Sequence, residues 1–200
     1  VLKPTHGGSG KNLYVIESKG LTKESLKEKM SSLKCDLAEE FVIQHPKLMK
    51  LSPSGLNTLR VITQINKSGE VDIIASRLRI SVDSPVDNLA AGNIVCAVDN
   101  NSGEVFSNGF YSDITKQNEV YQPITKAKIK GFQVPFWQET INLVTASAVR
   151  VKGLNNSVGW DVGITEKGPV LIEGNHDWCK LVWQLPVQRG LKADLQKYLG

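Results

Sequence analysis

Residues 158–175 read VGWDVGITEKGPVLIEGN, a pattern typical of a β-hairpin. Two runs rich in β-forming residues, 158–165 and 169–175, flank the short turn EKG. A three-residue connection that contains glycine is a favoured hairpin loop. We therefore predict two antiparallel strands in which Thr165 pairs with Pro169.

This register places Asp161 directly opposite Glu173. Because side chains alternate between the two faces of a strand, Asn175 shares the face of Glu173. Like charges placed opposite each other destabilise a sheet, and a hard cation such as Mg²⁺, which prefers oxygen ligands, would relieve the repulsion. The spacing alone leaves two interpretations open. These residues form a metal site, or they form a solvated acidic face on an ordinary hairpin.

The composition narrows the class of protein. Its 200 residues suit one or two domains, and 40% hydrophobic with 22% charged residues is ordinary for a globular chain. The net charge of +4 permits a nucleotide ligand, but without a dense basic block it predicts no nucleic-acid partner. No apolar run approaches the roughly 20 residues of a membrane-spanning helix. Three dispersed cysteines without a CxxC pair favour a reducing compartment, which predicts a cytoplasmic location.

A glycine-rich loop lies near the start of the chain, where residues 3–12 read KPTHGGSGKN. Backbone N–H groups in such a loop can cradle phosphate oxygens, although the Walker A order is missing and a plain flexible connection is the alternative. The pattern then predicts a strand at 13–17, a helix from the N-cap Thr22 to about residue 33, and a strand at 37–43. Together they describe a small α+β unit.

The remaining chain predicts a larger sheet with one long helix. We expect a short helix at 46–51 and a strong hairpin formed by strands 56–66 and 71–80. Arg77 and Arg79 share one face of the second strand, where they bind phosphate or remain solvated. Further elements are strands at 94–98 and 104–110, a polar loop at 112–135, and helices at 136–151 and 191–199.

The order of these motifs resembles the ATP-grasp superfamily. The shared features are KP before a Gly/Ser loop, a strand ending in paired glutamates, arginine-bearing strands and a final D…E-x-N. The phrases IQHPKLMKLSPSGLNTLRVIT, VDNLAAGN and GWDVGITEKGPVLIEGN are most similar to the sugar-transfer-associated ATP-grasp family. That family is assigned to cell-surface polysaccharide pathways, largely by prediction.

The resemblance implies an α+β fold of mainly antiparallel sheets with flanking helices, in which two subdomains grip ATP between them. Residues 1–45 would be the C-terminal part of the small central subdomain, with flap and hinge, and residues 46–200 the large C-terminal subdomain with the phosphate and metal site. Because the chain opens abruptly on VLKP, we expect an N-terminal domain to be absent from it.

The resemblance also implies nucleotide-binding residues. Lys3 matches the lysine that reaches the α- and β-phosphates, and Gln44 is the candidate for the ribose contact because the glutamate usual beyond the hinge is missing. The phosphate flap corresponds to Gly7, Gly8, Ser9 and Gly10. The hinge that reads adenine corresponds to Glu39, Glu40, Phe41 and Val42.

The catalytic and metal residues follow from the same resemblance. Arg60 and Arg79 match sheet arginines that face the γ-phosphate and an acyl-phosphate, and Asn88 matches an asparagine near the transferred phosphate. Asp161, Glu173 and Asn175 match ligands for one or two Mg²⁺ ions, with Mn²⁺ as a substitute.

The implied reaction is ATP-dependent ligation of a small-molecule carboxylate to an amine or glycan-precursor substrate. The alternatives are a phosphotransferase that stops after phosphorylating its acceptor and a non-catalytic nucleotide-binding module. Four tryptophans either line an acceptor pocket or belong to the core, as large aromatic residues usually do; they are Trp137, Trp160, Trp178 and Trp183.

Overall fold

The computed structural model describes residues 1–6 and 12–198, which form two compact units, Val1–Ile43 and Gln44–Gly200. The predicted phosphate flap, Gly7 to Gly10, lies outside the described residues.

The first unit contains a two-stranded antiparallel sheet and one helix. Strand β1 (Leu2–Lys3) pairs with β2 (Leu37–Ala38), and helix α1 spans Lys23–Ser32. The predicted cap is confirmed. The Thr22 side chain accepts a hydrogen bond from the Ser25 backbone, and the Ser25 hydroxyl accepts one from the Thr22 backbone.

Two strands predicted in this unit are wrong in extent. Of the strand at 13–17, only Tyr14 forms a bridge, with Leu2, and the strand at 37–43 ends at Ala38. Phe41 and Ile43 are 62% and 73% exposed. Alternation alone does not form a strand, because each strand also needs a hydrogen-bonded neighbour.

The second unit is built on a six-stranded antiparallel sheet with the order β6-β5-β4-β3-β7-β8. Its strands are β3 (Leu59–Ile65), β4 (Val71–Ile80), β5 (Ile94–Val98), β6 (Phe110–Tyr111), β7 (Ser157–Thr165) and β8 (Gly168–Asn175). Its helices are α2 (Pro46–Leu51), α3 (Trp137–Val151), α4 (Lys180–Gln184) and α5 (Lys192–Gln196), with 3₁₀ turns at Leu89–Ala91 and Leu185–Val187.

One face of this sheet carries the main core. Helix α3 packs on it through Val144 and Ala148, which contact a cluster containing Leu59 and Leu78. The helix matches the predicted 136–151 closely because its apolar residues recur at helical spacing. No helix in the described part of the chain is long and apolar enough to cross a bilayer.

The opposite face of the sheet carries a smaller core. Ile62 and Ala75 pack against Trp178 and Trp183 from the C-terminal segment. All four tryptophans are at most 8% exposed, so the interpretation that they belong to the core is confirmed.

The predicted strand at 104–110 is also wrong. Val105 forms only an isolated bridge with Val98, and β6 begins at Phe110. The terminal helix is shorter than predicted, since α5 covers Lys192–Gln196.

We expect Gly159→Ala to destabilise the second unit by about 1–3 kcal/mol. An added Cβ would lie 2.6 Å from Trp178 Cβ and 3.1 Å from Arg60 Cδ, both within the packed face of the sheet. Gly190→Ala is the matched control, since its nearest neighbour is 3.9 Å away. Urea unfolding measures both, and an equal effect of the two variants would contradict the packing argument.

Candidate functional site

The hairpin formed by β7 and β8 has the predicted pairing of Asp161 with Glu173, but its turn differs from the prediction. Thr165 pairs with Gly168 rather than Pro169, which leaves a two-residue turn. A bulge then inserts Ile172, so Asp161 still pairs with Glu173. The expected opposition of the two carboxylates is therefore confirmed, although the register at the turn is wrong.

A row of charged residues crosses four strands of the sheet. Arg77 on β4 pairs with Arg60 on β3, Arg60 with Asp161 on β7, and Asp161 with Glu173 on β8. Residues opposite each other in antiparallel strands share a face, so this charged row lies on the face of the smaller core.

Asp161 lies at the centre of the charged row and is only 3% exposed. Arg60 donates from Nε and Nη2 to its two carboxylate oxygens, and Arg79 Nη2 donates to Oδ2 over 2.7 Å. Burial alone would raise the pKa of Asp161, but the charges of Arg79 and Arg60 outweigh it and the pKa is lowered. Asp161 is therefore an ionised residue held by two guanidinium groups.

Asp87 completes this network and was missed at the sequence level. Its Oδ2 accepts hydrogen bonds from the Thr58 backbone (2.7 Å) and hydroxyl (2.6 Å), and its Oδ1 lies 3.3 Å from Arg79 Nη2. Burial raises the pKa of Asp87, with the Arg79 charge and the Thr58 hydrogen bonds opposing that shift. Asp87 and Asp161 together hold Arg79, whose pKa is raised because their charges outweigh its own burial.

The structure uses Asn88 and Gln44 in local hydrogen bonding. The Asn88 side chain accepts from the Ala90 backbone and caps the 3₁₀ turn that follows. Gln44 is 5% exposed, and its Oε1 accepts from the Asn57 backbone (2.6 Å) and side chain (3.0 Å). This arrangement does not favour the ribose role predicted for Gln44.

Arg77 belongs to the charged row, but its hydrogen bonds go to backbone carbonyl groups rather than to Asp161. Its Nε and Nη2 donate to the Trp183 carbonyl over 2.9 and 2.6 Å, and Nη1 donates to the Ser76 carbonyl. Burial, followed by the nearby charge of Arg189, lowers the pKa of Arg77 to about 10. Arg77 therefore ties the C-terminal segment to the sheet.

At the outer end of the charged row, Glu173 and Asn175 are accessible. Asn175 Nδ2 donates to Glu173 Oε1 over 3.1 Å and to the Gly159 carbonyl over 3.3 Å. The Glu173 charge also contributes to the raised pKa of Arg79, which places it in the same electrostatic environment.

Two of the predicted nucleotide-binding residues in the first unit, Lys3 and Glu39, lie near each other. Lys3 Nζ lies 2.8 Å from Glu39 Oε2, across the junction of β1 and β2. Among the described residues, the backbone groups of Glu40, Phe41 and Val42 form no hydrogen bond, so they are available to a ligand.

A comparison with protein-family models matched residues 1–198 to sugar-transfer associated ATP-grasp. The chain belongs to this family. Searches of curated proteins and of solved structures found no match to the chain. Family membership identifies an ATP-dependent enzyme with an α+β fold of antiparallel sheets, and ATP-grasp enzymes typically use a divalent metal.

The residues at the outer end of the charged row fit such a metal. Glu173 is exposed and Asn175 is half-buried, and both carry side-chain oxygen atoms. A carboxylate such as Asp161 keeps acceptor capacity beyond its arginine contacts. The described residues contain no cluster of three or more His, Cys, Asp or Glu arranged to hold a metal. The ligand set would therefore combine two carboxylates with an amide and be completed by water or phosphate oxygens.

We expect Thr58→Val to lower the free energy of unfolding by about 1–3 kcal/mol, because Asp87 loses a hydrogen bond in a buried network. The same hydroxyl accepts from Arg79 Nε over 3.0 Å, so the arginine also loses a partner. Thr58→Ser keeps the hydroxyl and is the control. Urea unfolding compares the two, and a valine variant as stable as the wild type would refute the role of the hydroxyl.

Proposed function

We propose that this protein is a carboxylate–amine ligase that activates a carboxylate as an acyl-phosphate with ATP and Mg²⁺. The observation that supports it is one face of the sheet, on which buried Arg60 and partly buried Arg79 hold Asp161 beside the accessible Glu173–Asn175 pair. Arginine side chains bind phosphate, and carboxylate and amide oxygens bind hard cations.

The arginines retain donors for phosphate oxygens. Arg60 and Arg79 each use Nε and Nη2, and the Nη1 of each forms no hydrogen bond within the described residues. A guanidinium that is already fixed by Asp161 opposes charge on a phosphoryl group without reorganising. We therefore assign both residues to the γ-phosphate and the acyl-phosphate.

In the proposed reaction, a carboxylate oxygen of the substrate attacks the γ-phosphorus, and the bond from that phosphorus to the bridging oxygen of ADP breaks. The amine nitrogen then attacks the acyl carbon, the bond from that carbon to the phosphate oxygen breaks, and the proton of the amine goes to solvent or to the released phosphate. Phosphoryl transfer depends mainly on positioning and charge neutralisation, which Arg60 and Arg79 supply. Asp161, Glu173 and Asn175 would hold one or two Mg²⁺ ions, which when bound neutralise phosphate charge.

For the first unit we propose nucleotide recognition. Glu39 would accept a hydrogen bond from the adenine amino group, the backbone of residues 40–42 would read the adenine edge, and Lys3 would meet the phosphates. The available backbone groups of the hinge and the 2.8 Å separation of Lys3 from Glu39 support these roles. Gly7 to Gly10 remain the proposed flap, and Asn88 a proposed neighbour of the transferred phosphate.

The proposed substrates are a small carboxylate and an amine or glycan precursor in cell-surface polysaccharide biosynthesis. We place the reaction in the cytoplasm. The structure has free thiols at Cys35, Cys96 and Cys179, and burial raises the pKa of Cys96 well above its usual value. Unpaired thiols fit a reducing compartment.

ADP release in the presence of Mg²⁺, with carboxylates and amines varied separately, tests the proposal. We expect release that requires both substrates. Release that needs only the acceptor would identify a phosphotransferase. A rise in melting temperature with Mg²⁺ and ATP, but no release with any acceptor, would identify a nucleotide-binding module.

A further inference from the structure

A pocket lies between helix α2 and the loop at 120–132, within the second unit. Its volume is about 240 Å³, and its apolar wall is formed by Leu51, Ala127 and Phe132. The remaining lining residues are all lysines, namely Lys47, Lys50 and Lys128. We refer to this feature as the lysine-rimmed pocket.

The charged residues that line the lysine-rimmed pocket all have the same sign. Lys126 and Lys130 add two exposed lysines on the same loop, where they alternate with half-buried Ala127 and buried Ile129. The stretches 41–69 and 120–138 contain no Asp or Glu. None of these five lysines forms a salt bridge with another described residue.

Exposed large apolar side chains lie on the same two segments as these lysines. Ile124, at the tip of a turn, is 60% exposed. The turn is held by Gln122, whose Oε1 accepts from the Ile124 and Thr125 backbones, and by Thr125, which donates to the Leu51 carbonyl over 2.8 Å. Two further residues of this surface are exposed, Tyr121 by 51% and Met49 by 42%.

We propose that this surface docks the protein on an anionic lipid bilayer, with the lysines at the headgroups and Ile124 inserted among the acyl chains. Lysines near anionic lipid contribute through charge alone, and apolar side chains add affinity by burial at the interface. An RNA partner would favour arginine and stacked aromatics beside the phosphates. The charged positions here are all lysine, and the most exposed large apolar residue is aliphatic. This proposal does not depend on the proposed reaction.

Co-sedimentation with lipid vesicles tests whether this surface binds an anionic bilayer. We expect the protein to pellet with phosphatidylcholine vesicles that contain one quarter phosphatidylglycerol, and not with phosphatidylcholine alone. Binding should weaken sharply as salt rises. The triple variant Lys126→Gln/Lys128→Gln/Lys130→Gln should lose about 100-fold in affinity, since each lysine contributes about fivefold.

A matched variant removes the same charge elsewhere. Lys67, Lys167 and Lys192 are exposed on other parts of the unit, so their triple substitution by Gln should change affinity far less. Ile124→Ser should weaken binding while keeping every charge. Circular dichroism confirms folding of each variant. Equal losses in the two triple variants, equal binding to neutral vesicles, or binding to poly(U) RNA without binding to vesicles would overturn the proposal.

Discussion

Glu173→Gln is expected to reduce ATP turnover by about 100-fold to 1000-fold while leaving the fold intact. The side chain is exposed, and the amide oxygen of Gln still accepts the hydrogen bond from Asn175. The substitution therefore removes a charge from the proposed metal ligands with little change in shape. Mg²⁺-dependent ADP release measures the effect, and thermal unfolding without ligand confirms the fold.

Glu166→Gln is the matched control because it neutralises an exposed glutamate in the turn of the same hairpin. It should leave turnover unchanged. Mg²⁺ titrations with each variant separate a lost ligand from a general effect of charge. If Glu173→Gln kept full activity and the same Mg²⁺ dependence as the wild type, Glu173 would not be a metal ligand.

Asp161→Asn is expected to lower the free energy of unfolding by about 3–5 kcal/mol. The variant leaves the Arg60 guanidinium buried without its counter-charge, and the new amide N–H₂ faces a group that can only donate. Arg79 keeps Asp87 as a partner, so most of the penalty falls on Arg60. Denaturant unfolding measures the loss.

The double variant Arg60→Met/Asp161→Leu tests whether the penalty comes from an unpaired charge. Replacing both partners with apolar residues should restore much of the stability, although turnover should be low because Arg60 and Asp161 are both removed from the proposed site. A double variant as unstable as Asp161→Asn would show that the network stabilises the sheet in some other way. Asp161 would then have a structural role beyond its ion pair.

The hairpin shows which structural features its sequence pattern predicts and which it does not. Its β-rich runs and turn residues identified both strands, and the opposition of Asp161 and Glu173 was correct. The turn register was not, because a bulge at Ile172 depends on local backbone geometry that the side-chain pattern does not encode. The strand predicted at 37–43 failed for a related reason, since pairing depends on a neighbour elsewhere in the fold.

Asp87 is a residue of the site that the sequence pattern did not predict. It lies in the VDNLAAGN segment, but the family pattern drew attention to Asn88 instead. Residues 58, 79, 87 and 161 meet only because strands β4 and β7, the residue before β3 and a loop come together in the fold. Because these residues are far apart in the sequence, no local sequence pattern indicates that they meet.

The sequence by itself determined the family, the long helix α3, the hairpin and the opposition of Asp161 and Glu173, because these depend on residue type and short-range periodicity. The tertiary structure decided that Asp161 is clamped between Arg60 and Arg79, that Gln44 is buried, and that Arg77 binds a carbonyl. Burial and ion pairing arise from residues distant in the chain, and they determine which charged groups remain free to meet a ligand.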